Sequence, residues 1–365
     1  MGNKHLYCGI YCTHRGLWIL AFPSKKQQTL ANCPKCSIGV ILEVNMTKFQ
    51  KILTGILAAQ ILLVVLVFIT SQPAGATNNP LLGDFEPTSV SRIIIEDNNS
   101  NQITLEKIGT EWVLPNAGNY PATSTTINDV LEKLASVRDT RPVTQTSSSH
   151  QRLEVSENSY QRKINLLANG KEIIVYLGSS PAPGGVHIRA GSSDTAYLTN
   201  ALTTSQFPAT ASNWIETTYW QIATEKIQSI KITNPNGSYN FALDTNGVWN
   251  SGQLGDDEQL DDTKWASLLS AFATVRMVEP VGTENNAAYG LDSATASLEI
   301  DYLDDTGAAK NATLFIGSQD ESAVNYYAQS SLSAYIVKLS QSTVEKILNF
   351  NKDSYTANPT PTVTP

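Results

Sequence analysis

The stretch Ile52–Thr70, ILTGILAAQILLVVLVFIT, divides the chain into two unequal parts. Only Thr54, Gly55 and Gln60 interrupt its apolar residues, and no charged residue occurs from Ile52 to Gly83. At about 1.5 Å of rise per residue, a helix of this length just crosses the roughly 30 Å hydrocarbon layer of a bilayer. The sequence therefore predicts one transmembrane anchor, over residues 46–70, whose partner is the lipid bilayer.

The charges that flank the anchor predict its orientation. Seven Lys or Arg residues and one acid, Glu43, precede it, whereas the first charges after it are Asp84 and Glu86. Because basic flanks stay on the cytoplasmic side, we expect the N-terminus inside the cell membrane and the large remainder outside. A signal peptide cleaved after Ala76 is the alternative. A signal h-region of about 7–15 residues is shorter than this run, which favours an uncleaved single-pass anchor.

All four cysteines precede the anchor, and their spacing leaves two interpretations open. Cys8 and Cys12 are followed by Cys33 and Cys36, and two such pairs of thiolates could hold a zinc ion. Alternatively, Met46 is the true start, and the predicted cytoplasmic leader 1–45 is not translated.

The part that follows the anchor is acidic and large enough for two domains. The net charge of the whole chain is -8 although its leading residues are mostly basic, so the exported part is more acidic still. Acidic surfaces repel nucleic acid, and we therefore expect no nucleic-acid partner. Residues 71–87 are rich in Pro, Gly and Asn without periodicity, which predicts a stalk.

A nearly constant offset relates residues in the two halves of the exported part. Trp112 corresponds to Trp249 (249 − 112 = 137), and YLGSS at 176–180 corresponds to FIGSQ at 315–319, an offset of 139. TAYLT at 195–199 matches SAYIV at 333–337 in the same order. We therefore predict two tandem repeats, 88–215 and 225–350, with the two tryptophans at equivalent buried positions. A disordered Pro/Thr tail is expected at 351–365.

Each repeat is predicted to combine antiparallel strands with one packed helix. Alternating apolar residues predict strands such as Val90–Glu96 and Ile227–Thr233. Apolar residues at helical spacing predict helices over Thr125–Val137 and Asp261–Val275. The expected fold class is α+β: two tandem repeats of mostly antiparallel strands with one packed helix each, behind a single transmembrane helix.

Several motifs in the second repeat resemble the domain-of-unknown-function 4340 family. They are Asn246-Gly247-Val248-Trp249, Val275-Arg276 with Pro280-Val281, Tyr289-Gly290-Leu291, Ile316-Gly317 and Tyr326-Tyr327. The first repeat departs from the pattern at Gln151-Arg152-Leu153. The resemblance covers residues 88–350 as two copies. It implies an uncharacterised, membrane-anchored extracytoplasmic protein, often encoded near ABC-type transporter components, and it brings no catalytic residues.

The exported part contains no recognisable catalytic or cofactor motif. It has two histidines, His150 and His187, no cysteine, and no nucleophile elbow, zinc-protease helix or phosphate loop. We therefore expect no enzymatic activity, no cofactor and no metal. His187 and Arg189 lie two residues apart in a predicted strand and are interpreted as a surface pair. The acid-rich stretch 256–262 is interpreted as a helix cap rather than a calcium site.

Two functions remain open at this point. The first is binding or scaffolding by contact outside the membrane, with partner-binding residues at Tyr289, Tyr326 and Tyr327. The second is an exported hydrolase of cell-wall or extracellular polymer that uses a pair of carboxylates. Tyr219 and Trp220 join Tyr326 and Tyr327 as candidates for a glycan platform. The alternative that Tyr289-Gly290-Leu291 only shapes a turn also stays open.

Overall fold

The computed structural model describes residues 47–70, 78–83, 85–181, 184–255 and 257–357. The four cysteines, Ala76 and the end of the predicted tail lie outside the described residues. The chain divides into two units, Met1–Ile69 and Thr70–Pro365.

The first helix, α1 (Lys48–Thr70), contains the apolar run. Thr47 and Gln50 cap its start, because the Thr47 backbone N–H donates to Gln50 Oε1 at 2.9 Å. Its apolar side chains are exposed, and Leu62 for example is 67% accessible. Within the described residues, α1 is the one helix long and apolar enough to cross a membrane. The prediction of a candidate membrane-spanning helix near the N-terminus is confirmed.

The second unit is built mainly from β-strands. The first eleven are β1 (Val90–Asp97), β2 (Gln102–Ile108), β3 (Glu111–Leu114), β4 (Tyr120–Pro121), β5 (Pro142–Thr144), β6 (Val155–Ser156), β7 (Ser159–Tyr160), β8 (Arg162–Ala168), β9 (Lys171–Leu177), β10 (Val186–Ala190) and β11 (Ala196–Thr199). The remaining ten are β12 (Thr218–Gln221), β13 (Ile227–Asn234), β14 (Gly237–Leu243), β15 (Trp249–Ser251), β16 (Thr274–Arg276), β17 (Glu279–Gly282), β18 (Ala296–Leu303), β19 (Ala309–Gln319), β20 (Asn325–Ser330) and β21 (Ile336–Ser340).

These strands form two large sheets. The first sheet has the order β4-β3-β2-β1-β8-β9-β10-β11-β5, and the second has the order β15-β14-β13-β18-β19-β20-β21-β17. Two small pairs, β12 with β16 and β6 with β7, complete the pattern. Neighbouring strands run antiparallel in the ladders of both sheets. The prediction of a mostly antiparallel β-sheet fold with a few helices is therefore confirmed.

Helices cover one face of each sheet, which we call the inner face. They are α2 (Ser124–Ser136), α4 (Asp262–Ala273) and α5 (Gln341–Leu348), whereas the short helix α3 (Ser147–Arg152) does not cover this face. Helix α2 buries Ile127, Leu131 and Leu134 at helical spacing. In α4, the Trp265 ring stacks on Phe241 with centroids 4.1 Å apart. The opposite face of each sheet is called the outer face.

Trp249 differs from its predicted counterpart. Trp112 is 1% accessible, but Trp249 is only half-buried on the edge strand β15. Its ring leans on Trp265, with centroids 5.3 Å apart. The expectation of equal burial is wrong, because an edge strand of three residues leaves one side of the ring open.

The folded part also extends beyond both predicted ends. Leu81 and Phe85, in the predicted stalk, pack against the core, and the Leu81 backbone N–H donates to Val137 O at 2.9 Å. In the predicted tail, Lys352–Ser354 form a short 3-10 helix, and Tyr355 is fully buried beside Phe350. Apolar side chains within these polar stretches explain the difference, because each fills a gap in the core.

Candidate functional site

Three side chains form a row across the outer face of the second sheet. Tyr327 on β20 pairs with Lys338 on β21, which pairs with Glu279 on β17. Directly paired residues point to the same side of a sheet, so the three side chains adjoin. Lys338 Nζ lies 2.8 Å from Glu279 Oε1 and 5.9 Å from the centre of the Tyr327 ring. The row thus places an ammonium group between a carboxylate and an aromatic ring.

Tyr289 extends this row by stacking on Tyr327. The ring centroids are 4.2 Å apart and the ring planes are inclined by 28°. Tyr289 ends the 3-10 helix Ala287–Tyr289, and Gly290 follows it in the left-handed region with φ 66°. A Cβ atom on Gly317 would overlap the Tyr289 carbonyl oxygen, so glycine is required for this close approach. The Tyr289-Gly290-Leu291 motif therefore shapes a turn and also positions Tyr289 on Tyr327.

A second carboxylate, that of Asp320, lies close to Lys338 from the position just after β19. Asp320 Oδ2 lies 3.5 Å from Lys338 Nζ, and the Asp320 side chain is 5% accessible. Hydrogen bonds from Ser322 and Asn325 hold the pKa of Asp320 well below its usual range. Burial alone would lower the pKa of Lys338, but Glu279 and Asp320 outweigh this effect and raise it. At neutral pH two carboxylates thus surround one ammonium group, which leaves the site with a negative charge.

The row forms one wall of a cleft between the two sheets, which we call the junction cleft. Gln102, Thr104 and Asn116 line the wall from the first sheet, and Glu279, Tyr327 and Lys338 line the wall from the second. The cleft has a volume of about 320 Å³. This is the size of a small ligand pocket or of a groove for one or two side chains of a partner.

Close packing beside the cleft holds its two walls together. The backbones of Gly118 and Gly282 approach so closely that a Cβ atom on Gly118 would lie 3.2 Å from Gly282 Cα. The Tyr120 ring meets the Tyr335 ring edge-on with centroids 4.7 Å apart. The Tyr335 hydroxyl donates to Asn119 O at 3.3 Å. The junction cleft is therefore a built feature of the fold.

The structure separates the four aromatic residues that the sequence grouped as a platform. Tyr327 faces the junction cleft, whereas Tyr326 lies on the opposite side of β20 and packs against the core. Tyr219 and Trp220 are buried, and the Tyr219 hydroxyl donates to Tyr335 O at 2.6 Å. Of the three predicted binding residues, Tyr289 and Tyr327 come together and Tyr326 does not join them.

Sequence reasoning missed Lys338, Glu279 and Asp320. The available signal was a single charged residue within the apolar strand Ile336-Val337-Lys338-Leu339, because such a charge needs a partner. No feature of the sequence identified Glu279 and Asp320 as those partners, since they come from separate segments.

His187 and Arg189 are buried, and their interpretation as a surface pair is wrong. They are 6% and 7% accessible. The Arg189 guanidinium donates to Val155 O at 2.7 Å and lies 4.7 Å from the centre of the Tyr176 ring. Burial lowers the pKa of His187, whose Nδ1 lies 3.1 Å from Ser179 Oγ. An unpredicted segment that contains α3, β6 and β7 covers this outer face of the first sheet.

Two acidic residues, Asp261 before α4 and Asp244 in the nearby hairpin, stabilise the local backbone. Asp261 Oδ1 accepts hydrogen bonds from the Thr263 and Lys264 backbone N–H groups at 3.0 Å, which caps α4. Asp244 Oδ1 accepts from the Asn246 and Val248 backbone N–H groups at 2.8 Å. Within the described ranges, no three His, Cys, Asp or Glu side chains converge as metal ligands.

Comparison with known proteins gives one result. A family model described as Domain of unknown function (DUF4340) matches residues 112–294, just over half of the chain, in one continuous match. No curated protein and no solved structure matches the chain. The match begins in β3 and ends just before β18, so it includes Glu279 and Tyr289. The chain therefore belongs to the DUF4340 family, whose function is uncharacterised.

Proposed function

We propose that this chain is a membrane-anchored, extracytoplasmic binding or scaffolding protein that holds its partner at the junction cleft. The observation that carries the proposal is the row Tyr327, Lys338 and Glu279 along one wall of that cleft, with Tyr289 stacked on Tyr327. Aromatic rings beside a partly exposed ion pair are typical of contact surfaces, because they combine apolar area with directional hydrogen bonds. Transporter components of the ABC type are the partner class that the family resemblance implies.

The proposed orientation supports this role. Basic residues precede α1 and acids follow it, which favours a cytoplasmic N-terminus and an exported second unit. In this orientation the second unit, which contains the junction cleft, lies outside the membrane.

We further propose that the second unit arose by duplication of one module. The strand order from the Trp112 strand through β2, β1, β8, β9, β10 and β11 parallels the order from the Trp249 strand through β14, β13, β18, β19, β20 and β21. The nearly constant sequence offset supports the same proposal. Duplication explains why the cleft lies where two similar sheets meet.

A carboxylate-dependent hydrolase remains the alternative, because Glu279 lines the cleft and Asp320 lies 3.5 Å from Lys338, which also lines it. A hydrolase of this kind needs one carboxyl group with a raised pKa to act as the general acid. Hydrogen bonds lower the pKa of Asp320 instead of raising it, and Lys338 lies between the two groups. The arrangement therefore favours binding over hydrolysis.

Affinity capture of the full chain from detergent-solubilised membranes tests the proposal. Lys338→Met removes the ammonium group from the cleft. The control, Lys231→Met, removes an ammonium group of the same sheet that does not line the cleft. Lys231 Nζ forms an ion pair with Glu299 Oε1 at 3.1 Å. We expect Lys338→Met to reduce the captured partner at least about tenfold, which corresponds to about 1.4 kcal/mol, and Lys231→Met to retain it. Equal capture by both variants would contradict the proposal.

A further inference from the structure

Three Asn-x-Ser/Thr motifs follow α1, at Asn98, Asn236 and Asn311. This tripeptide is the acceptor of N-linked glycans in exported proteins, provided that the middle residue is not proline. Transfer requires the amide nitrogen and the hydroxyl of the third residue to be accessible together. The three motifs differ in this respect.

Asn98 lies at the exposed tip of the hairpin between β1 and β2. Asp97 organises this turn, because its Oδ1 accepts from the Asn99 and Asn101 backbone N–H groups at 2.9 Å. The turn thus keeps its shape without the Asn98 side chain. Among the described residues, neither the Asn98 amide nor the Ser100 hydroxyl has a hydrogen-bond partner, so both groups are available.

The other two motifs are engaged in the fold. The Asn311 amide donates to Asp301 Oδ1 at 2.7 Å, and Asp301 is the residue of β18 with which Asn311 pairs. The Asn236 amide donates to the Phe350 carbonyl oxygen at 3.2 Å, at the end of α5. A transferase would have to break these contacts to reach either nitrogen. Only Asn98 has a carboxylate, Glu96, two residues before it.

We propose that Asn98 carries an N-linked glycan and that Asn236 and Asn311 do not. The donor is an oligosaccharide attached to a polyprenyl phosphate or diphosphate on the outer side of the membrane. The Asn98 Nδ2 forms a bond to the anomeric carbon, the bond from that carbon to the phosphate oxygen breaks, and the lipid phosphate leaves with the electron pair. One amide proton is lost to solvent. This inference depends on the exported orientation in the proposed function.

The test uses the full chain purified from membranes of the organism that makes it. Trypsin cleaves after Arg92 and Lys107, and the peptide 93–107 contains Asn98 and neither of the other two motifs. Mass spectrometry is expected to find this peptide with an added oligosaccharide mass. Asn98→Gln and Ser100→Ala should each remove the addition, whereas Asn99→Gln, in the same turn, should retain it.

An unmodified peptide 93–107 in the native protein overturns the proposal, and so does a glycan on Asn236 or Asn311. A parallel measurement of orientation separates the two ideas. If the second unit is outside the cell and the peptide is unmodified, only the glycan inference fails. If the second unit is inside, the exported location fails and the glycan inference fails with it.

Discussion

Gly317 lies directly under the carbonyl oxygen of Tyr289, so that a Cβ atom at position 317 would come closer than 3.0 Å to that oxygen. The first sheet has the same relationship between Gly178 and the carbonyl oxygen of Leu153. At both places a segment crosses the outer face of a sheet in contact with a glycine. This contact positions Tyr289 over Tyr327 in the second sheet.

We expect Gly317→Ala to lower the free energy of unfolding by about 1–3 kcal/mol, because the methyl group forces the crossing segment away from β19. Gly178→Ala should have a similar effect. Gly252 has no atom within 4 Å of its Cβ position, so Gly252→Ala is the control and should change stability by less than about 0.5 kcal/mol. Urea denaturation measures all three. Equal stability of the three variants would show that the segment relaxes freely.

Because Trp112 and Trp249 are buried to different extents, we expect their truncation to lower the free energy of unfolding by different amounts. Trp112→Ala removes a fully buried side chain and should cost about 3–5 kcal/mol. Trp249→Ala removes a half-buried ring at a sheet edge and should cost about 1–2 kcal/mol. Thermal or urea unfolding of both variants checks the order. A larger loss at Trp249 would contradict the packing described for β15.

Strand positions and the packed helices could be predicted from sequence because their signal is local. The alternation in Val90–Asp97 and the stripe Ile127, Leu131 and Leu134 each indicate one buried face. Helix α3 has the sequence SSSHQR, which carries no apolar period, and its position depends on His150 contacting Asp194 O at 2.6 Å. The junction cleft could not be predicted from the sequence either, because Lys338 meets Glu279 and Asp320 only after the sheet has formed.

The Asp320 carboxylate should make stability depend on pH in acid. Its pKa is lower in the folded state than the ordinary 3.8. In acid the folded form therefore binds fewer protons than the unfolded form. Its contribution is complete above about pH 5 and is lost progressively as pH falls through and below 3.8. The stability difference between wild type and Asp320→Asn should therefore narrow from pH 5 to pH 3. The exposed Asp257→Asn serves as the control, and a constant difference would refute the assignment.

The side of the membrane on which the second unit lies can be tested with a thiol reagent that does not cross membranes. The part after α1 contains no cysteine, and the leader contains four. In intact cells we expect Lys171→Cys, at an exposed strand end, to be labelled and the wild-type chain to remain unlabelled. Labelling of the wild type, or no labelling of Lys171→Cys until the cells are lysed, would contradict a cytoplasmic N-terminus.

Site-specific photo-crosslinking in intact cells tests the central claim that the junction cleft holds the partner. A benzophenone amino acid replaces Asn116, an exposed residue that lines the wall formed by the first sheet. The same group in place of Lys231, on the outer face away from the cleft, is the matched control. We predict one discrete crosslinked product from position 116 that is absent from position 231 and is lost when Lys338→Met is added. No product from position 116, or the same product from both positions, would contradict the account.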